Sequence, residues 1–208
     1  MRSIRTAKEA VAILRHGGVI AMPTDTIYGL IAIADQRTKS KVIAIKQSPK
    51  DKKVLLLVRN LMQAKRIAVM SPRQERFLRL VWPGPVTVVL RSKKVLSGFS
   101  EKTLALRIPR NRTLQAILAQ VRRPLTATSA NLSGKKTPRS YHAVEKHFTG
   151  LKSAPDAIFI SAKKSASRPS ALVACNGRTI HILRQGAMDQ KYIQKAWERS
   201  ALKTVRPK

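Results

Sequence analysis

Apolar residues recur along this chain with two alternating periods. Ala7, Ala10, Val11 and Leu14 form one helical stripe. Thr6 and Glu9 stand ahead of it at capping-box spacing, and Gly17-Gly18 follow it. Residues 19–22 are a wholly apolar run of strand length, stopped by Pro23. Val42 and Ile45 lie on one side of residues 38–47, with Lys39, Lys41 and Lys46 on others, so an amphipathic helix is predicted. Residues 54–58 read as a buried strand. Two helices follow, the second opened by Ser71-Pro72, a cap residue before a first-turn proline. WPGP at 82–85 is a break, and 86–90 after it is β-rich. Residues 104–108 form a strand ended by Pro109; Asn111 caps a helix to about Val121, and Pro124 leads into a strand over 125–128. A helix around 141–148 and a strand at 157–160 come next. Residues 171–175 and 178–183 flank Asn176-Gly177, the strongest short hairpin signal. A terminal helix is predicted over 189–199, and 161–167 reads as a mobile loop.

Strands interleave with helices throughout, and the hairpin requires some antiparallel pairing. The economical fold is therefore α/β: a single-domain twisted mixed β-sheet with flanking helices. Residues 1–190 make up the domain, and 191–208 the C-terminal helix and a basic tail. No internal repeat or dividing linker interrupts it.

Composition changes this picture only through charge. The 208 residues are 43% hydrophobic, enough for a real core, but 42 Lys and Arg face 10 Asp and Glu, a net +32. Such a field favours polyanions and anionic substrates, nucleic acid foremost; the bland alternative is a solvated basic surface. The acids never form a close pair, which argues against a two-metal carboxylate cage and against paired-carboxylate glycosidase chemistry. The one cysteine, Cys175, excludes an intrachain disulfide, fits a reducing compartment and reads as a buried thiol. No apolar run approaches the roughly 20 residues of a membrane span, and no secretory h-region opens the chain, so a cytoplasmic protein without a membrane partner is expected. Walker A, GxGxxG, HExxH, CxxC and GxSxG motifs are all absent. His16, His142, His147 and His181 lack ligand spacing, and His142 and His147 are expected on a solvated helix face.

What remains is a set of small polar clusters at predicted strand ends: PTDTIYGL (23–30), LRIPR (106–110), TSANLSG (128–134), PSALV (169–173) and ILRQG (182–186). Hydroxyls, an arginine or two and turn glycines at such ends suit an anionic, hydroxyl-bearing ligand in a crevice of the sheet. Taken singly each is weak: Ser129-Ala130-Asn131 reads equally as a helix cap, and PTDT as a turn.

Together, and with IKQSPKDK (45–52), WPGPVTVVL (82–90) and ILRQGA (182–187), they resemble the threonylcarbamoyl-AMP synthase family, the YrdC/TsaC-like proteins, in the family's order from about Gly17 to Ala187. The resemblance implies a YrdC-like fold and a nucleotidyltransferase. Such an enzyme joins L-threonine, bicarbonate and ATP into L-threonylcarbamoyl-adenylate with release of pyrophosphate. The product serves tRNA threonylcarbamoyladenosine modification by a separate transferase complex. By match to the family, Thr24, Thr26, Tyr28 and Arg107 would hold threonine. Lys46, Ser129 and Asn131 would be catalytic, binding ATP together with Lys50, Ser170 and Arg184, while Lys52 adds field. Mg²⁺ would travel on ATP with no protein metal site, no organic cofactor is implied, and tRNA or double-stranded RNA is the further partner that the charge allows.

The chain departs from the family at one place. Lys46-Gln47-Ser48 stands where relatives carry Lys-x-Arg, and serine supplies neither the fixed charge nor the donor fork of arginine. Three explanations compete: a neighbouring cation such as Arg110 or Lys50 substitutes, the enzyme is weakened, or the fold has moved to RNA binding. Two alternatives accompany the synthase reading. One is a non-catalytic double-stranded-RNA or ribosome-associated protein, favoured by the charge but poor in aromatic residues for base stacking. The other is a YciO-like paralogue with weak activity, against which TSANLSG argues.

Overall fold

The structure is a computed structural model and describes residues 1–49, 54–161, 165–166, 168–176 and 179–201. The N-terminal half runs β1 (Arg2–Ile4), α1 (Ala7–Arg15), β2 (Ile20–Pro23), β3 (Tyr28–Ile33), α2 (Gln36–Lys46), β4 (Leu55–Leu57), α3 (Leu61–Ile67), β5 (Ala68–Val69), α4 (Pro72–Val81) and β6 (Val86–Ser92). After it come β7 (Thr103–Arg107), α5 (Arg112–Val121), β8 (Leu125–Ser129), α6 (Tyr141–Phe148), β9 (Ala157–Phe159), the hairpin β10 (Ala171–Asn176) and β11 (Thr179–Arg184), and α7 (Gln190–Arg199). Helix starts follow local chemistry. Thr6 and Ser71 close full capping boxes, while Asp35, Asn60, Asn111, Ser140 and Asp189 cap with their side chains.

All strands join one mixed sheet in the order β1-β9-β2-β3-β8-β4-β7-β6-β10-β11, with β5 against β6. The pairs β1/β9, β2/β9, β4/β7 and β6/β10 are parallel and the rest antiparallel. The single-domain mixed sheet expected from the sequence is thus observed. Three strands had no counterpart in the sequence reading: β1, β5 and β3. β3 is the instructive one. All six of its residues are buried, because β2 and β8 flank it and helices cover both faces, so it shows no alternation to read.

Register decides which face each side chain meets. Directly paired residues share a face, so Ile33, Leu125 and Leu57 point one way, and Ala32, Thr126 and Leu56 the other. The second face is covered along its length. Under α2 and α6 lie Leu30, Val42, Ile45, Val144 and Phe148, and under α3, α4 and α7 lie Leu56, Phe77, Leu106, Val173, Ile193 and Trp197. The first face is covered only over β9, β2, β3 and β8, by α1 and α5 with Leu14, Ile31, Leu118 and Leu125. Beyond β8, among the described residues, it carries no helix. The 93–102 connection folds over its far end, with Gly98 at φ +78° against the backbone of Gln36.

Phe77 is fully buried and meets Trp197 edge-on at 5.5 Å, tying α7 into the main core. Phe77→Ala should lower unfolding free energy by about 3–5 kcal/mol in a urea titration; a loss below about 1 kcal/mol would show that α7 is not an integral part of the fold.

Candidate functional site

The helix-free half-face forms the floor of a cavity of about 530 Å³. Its floor is built in rows by the register. Ala127, Leu55, Ala105 and Val89 are successive partners across four strands and make an apolar band. Leu57 and Arg107 are paired in the next row, and Thr87 and Leu172 are paired further along it. Thr24, Thr26, Ser129, Ser170 and Arg184 complete the polar side of the lining. The site therefore lies on the face of the sheet, rather than only at strand ends.

One end is organised by the turn between β2 and β3. The Thr24 hydroxyl donates to the Ile27 carbonyl at 2.8 Å and accepts the Thr26 amide at 3.1 Å, fixing a hydroxyl turn. Arg107 is 3% exposed and is held from three sides. Nη1 donates to Thr26 Oγ1 at 2.9 Å, Nε donates to the Gly84 carbonyl at 3.0 Å, and Nη2 lies 2.5 Å from Asp25 Oδ1. That last contact is an ion pair out of hydrogen-bond alignment, leaving both atoms without a hydrogen-bonded partner. The Asp25 carboxylate is fixed in turn by the Arg110 amide at 3.1 Å. Tyr28, expected at the threonine end, does not line the cavity. One step along a strand changes the face, so its ring packs under α2 and α6 with an unpartnered hydroxyl. Burial, then Tyr141, pushes that phenol up to about 12.

Around Lys46 the arrangement is different. Its Nζ is buried and donates to the carbonyls of Ser129 and Asn131 at 2.7 and 2.8 Å, with Ser129 Oγ and Asn131 Oδ1 both at 3.3 Å. The Ser133 amide returns a bond to the Lys46 carbonyl at 2.9 Å. Asn131 Nδ2 donates to the Leu132 and Lys135 carbonyls. Lys46 and Asn131 thus shape the TSANLSG turn from behind, while Ser129 faces the cavity. His147 belongs to the same turn. Half-buried rather than solvated, its Nε2 accepts the Leu132 amide at 2.9 Å, whereas His142 is exposed as expected.

Ser170 stands immediately before β10. Its hydroxyl is 2.7 Å from that of Thr87, and its carbonyl accepts from Arg184 Nη2 at 3.0 Å. Arg184 is exposed at the rim, yet the protein packed around its head holds its pKa below the usual arginine value. Gly186 is dictated by contact: a Cβ there would overlap the backbone of Ser170 and Ala171. Ser48 follows Gln47, which ends α2 in the left-handed conformation, and is half-buried. Lys50 and Lys52 lie outside the described residues, as do residues 162–164 and 167 of the loop predicted over 161–167.

Sequence reasoning missed Thr87, Phe99, Glu101, Leu172 and Leu183 in the lining. Thr87 had a signal, as a polar residue alternating with Val86 and Val88, and Leu172 and Leu183 lie inside the PSALV and ILRQG clusters. Phe99 and Glu101 come from the 93–102 connection, held by Lys39. Its Nζ lies 2.8 Å from both the Glu101 carboxylate and the Gly98 carbonyl, and 4.8 Å from the Phe99 ring centroid. Cys175 is buried as expected, its thiol pushed up to about 12 by desolvation. Among the described residues, no three His, Cys, Asp or Glu gather as a metal site, and no helix is long and apolar enough to cross a membrane.

Comparison with known proteins places these residues in context. The Sua5/YciO/YrdC family model, described as "Telomere recombination", matches residues 12–186. A threonylcarbamoyl-AMP synthase of Pyrococcus abyssi is 33% identical over 147 residues, covering 68% of this chain and 43% of that protein. The chain thus spans less than half of that relative's length. A threonylcarbamoyl-AMP synthase of Vibrio vulnificus is 29% identical over 191 residues, covering 88% of this chain and 100% of its own. The crystal structure of P. abyssi Sua5 complexed with L-threonine superposes with TM-score 0.83 at 27% identity, over 94% of this chain and 60% of that one.

Lys46→Met keeps the stem but removes the donor from two buried carbonyls. It should destabilise the protein by about 2–3 kcal/mol and speed hydrogen exchange at the Ser133 amide. Unchanged exchange would show that the turn does not depend on Lys46.

Proposed function

This chain belongs to the Sua5/YciO/YrdC family, and we propose that it is a threonylcarbamoyl-AMP synthase, a nucleotidyltransferase using L-threonine, bicarbonate and MgATP. The observation that carries this reading is convergence. Thr24, Thr26, Arg107, Ser129, Ser170 and Arg184 come from five separated segments and line one cavity. The names of the relatives and the threonine-bound P. abyssi structure favour synthesis over a non-catalytic RNA-binding role.

In this reading the threonine amine attacks the carbon of bicarbonate and water leaves. The resulting carbamate oxygen attacks the α-phosphorus of ATP, and the α–β bridging oxygen departs with pyrophosphate. Arg107, aligned by Thr26 and Gly84, takes the threonine carboxylate beside the Thr24 hydroxyl. Arg184, Ser170 and Ser129 face the phosphates, and Lys46 and Asn131 hold the Ser129 turn in place. Lys50 would add positive field. Catalysis is chiefly positioning and electrostatic stabilisation, with Mg²⁺ arriving on the nucleotide. The reading includes a cytoplasmic location and delivery of the product to a separate tRNA-modifying transferase complex.

RNA contact is a second, additive part of the proposal. The net charge is +32, and the exposed Arg15, Arg59 and Arg122 border a surface groove at the C-terminal ends of α1 and α5, away from the cavity. Phosphates of tRNA suit such a surface.

Purified protein given all three substrates should release pyrophosphate, and omitting threonine or bicarbonate should abolish it; background rates with the full set would reject the synthase reading. Ser48→Arg restores a donor fork and should lower KM for ATP several-fold without moving KM for threonine. An unmoved KM for ATP would mean that another cation already fills that role. For tRNA, log Kd should rise linearly with log salt, and Arg59→Ala with Arg122→Ala should flatten the slope by roughly one unit per lost phosphate contact. A salt-independent Kd would defeat the electrostatic account.

A further inference from the structure

The cavity holds two arginines in opposite electrostatic states. Arg107, deep and 3% exposed, carries its own counter-charge: Asp25 Oδ1 is 2.5 Å from Nη2, and Asp25 is itself 15% exposed. Among the described residues Arg184, at the rim, has no acidic partner; its guanidinium donates to a neutral carbonyl, that of Ser170. Both line the same space. We infer that this asymmetry sorts threonine from the nucleotide, and that Asp25 is the positioning residue that sets it. This rests on the synthase reading above and adds to it which end of the cavity refuses which ligand, and why.

A triphosphate brought to Arg107 would meet a pair of net charge zero, with a carboxylate immediately behind the guanidinium. Each phosphate charge gained against the arginine is largely repaid in repulsion from Asp25. A zwitterionic amino acid meets no such penalty. Its carboxylate faces the guanidinium, and the field of Asp25 favours its ammonium. At Arg184 the balance reverses: a cation with no acidic partner among the described residues, in the cavity that Ser129 and Ser170 also line, favours the most highly charged ligand. Asp25 does not line the cavity, and its Oδ1 has almost no solvent exposure, so it acts through Arg107 and through the field rather than by touching substrate. The Arg110 amide on Oδ2 keeps it in place. The motif aspartate between Thr24 and Thr26 thereby acquires a role distinct from that of its hydroxyl neighbours.

The test measures binding by calorimetry on the intact chain, with no turnover required. The probes are L-threonine, 3-hydroxybutanoate (threonine without its ammonium) and inorganic pyrophosphate. The wild type should prefer threonine to 3-hydroxybutanoate by at least about tenfold, and pyrophosphate should not displace threonine. Asp25→Asn, of equal size, should narrow that preference below about threefold by tightening 3-hydroxybutanoate, and should let pyrophosphate compete for the threonine site. Arg184→Gln should weaken pyrophosphate about tenfold and leave threonine affinity unchanged. Equal weakening of both carboxylates in Asp25→Asn would make Asp25 a merely structural residue and overturn the inference. Competition between pyrophosphate and threonine in the wild type would overturn it too, and that arm with Arg184→Gln decides the matter even if Asp25→Asn does not fold. Threonine bound without selectivity sinks this inference alone, whereas no threonine binding and no pyrophosphate release sink the synthase reading with it.

Discussion

A sheet whose main path is ten strands wide has two faces to cover, and the helices divide unequally between them. Among the described residues five pack on one face, and the remaining two, α1 and α5, reach only β9, β2, β3 and β8 on the other. That shortfall governs the molecule. On the bare half, the side chains of β4, β7, β6 and β10 must tolerate water until a ligand arrives. The register there places apolar residues in one row and Arg107, Thr87 and Leu172 in the next. An ordinary α/β crevice lies beyond the strand ends. Here the open face itself is the floor of the candidate site, and the strand-end motifs form its border.

A floor of this kind needs walls that hold without a helix behind them, and buried or half-buried cations supply them. Lys46 pulls the TSANLSG turn onto α2 through two backbone carbonyls, and Lys39, near the other end of the same helix, holds the 93–102 connection. Arg107 does likewise for the β2–β3 turn and the WPGP turn, through Thr26 and Gly84. Burying a charge is costly unless its donors are satisfied, so each of these side chains fixes the carbonyls and hydroxyls that satisfy it. α2 thus acts as a strut between two walls, and a residue assigned to substrate on motif grounds also shapes the site.

Much of the fold was legible because its signals are local. Thr6 with Glu9, Ser71-Pro72 and Asn111 name helix starts by hydrogen-bonding chemistry alone, and Asn176 marks the hairpin. β3 was not legible, because a strand buried on both faces looks like any apolar run, and neither were β1 and β5, of three and two residues. In the site, the residues that could be named were those in motifs. Tyr28 shares its motif with Thr24 and Thr26, yet strand alternation turns it to the other face, a fact available only once β3 is known to be a strand. His147 as a backbone acceptor and Glu101 in the lining depend on contacts between distant segments, and nothing near them in sequence announces either.

The same separation of local from global charge bears on Ser48. With 42 basic residues, the chain does not lack positive potential, and that field raises the local concentration of any polyanion. A diffuse field, however, is screened within about 10 Å at ordinary ionic strength and has no direction to give. Among the described residues the charges lining the cavity are few and individually held: Arg107 by Asp25, Glu101 by Lys39, and Arg184 by the neutral Ser170 carbonyl. In the synthase reading, surface lysines can therefore compensate a missing arginine in gathering nucleotide, but not in orienting its phosphates, which requires a donor fork at a fixed place. If Ser48 is a true deficit, it is one of geometry, and it would survive every increase in net charge.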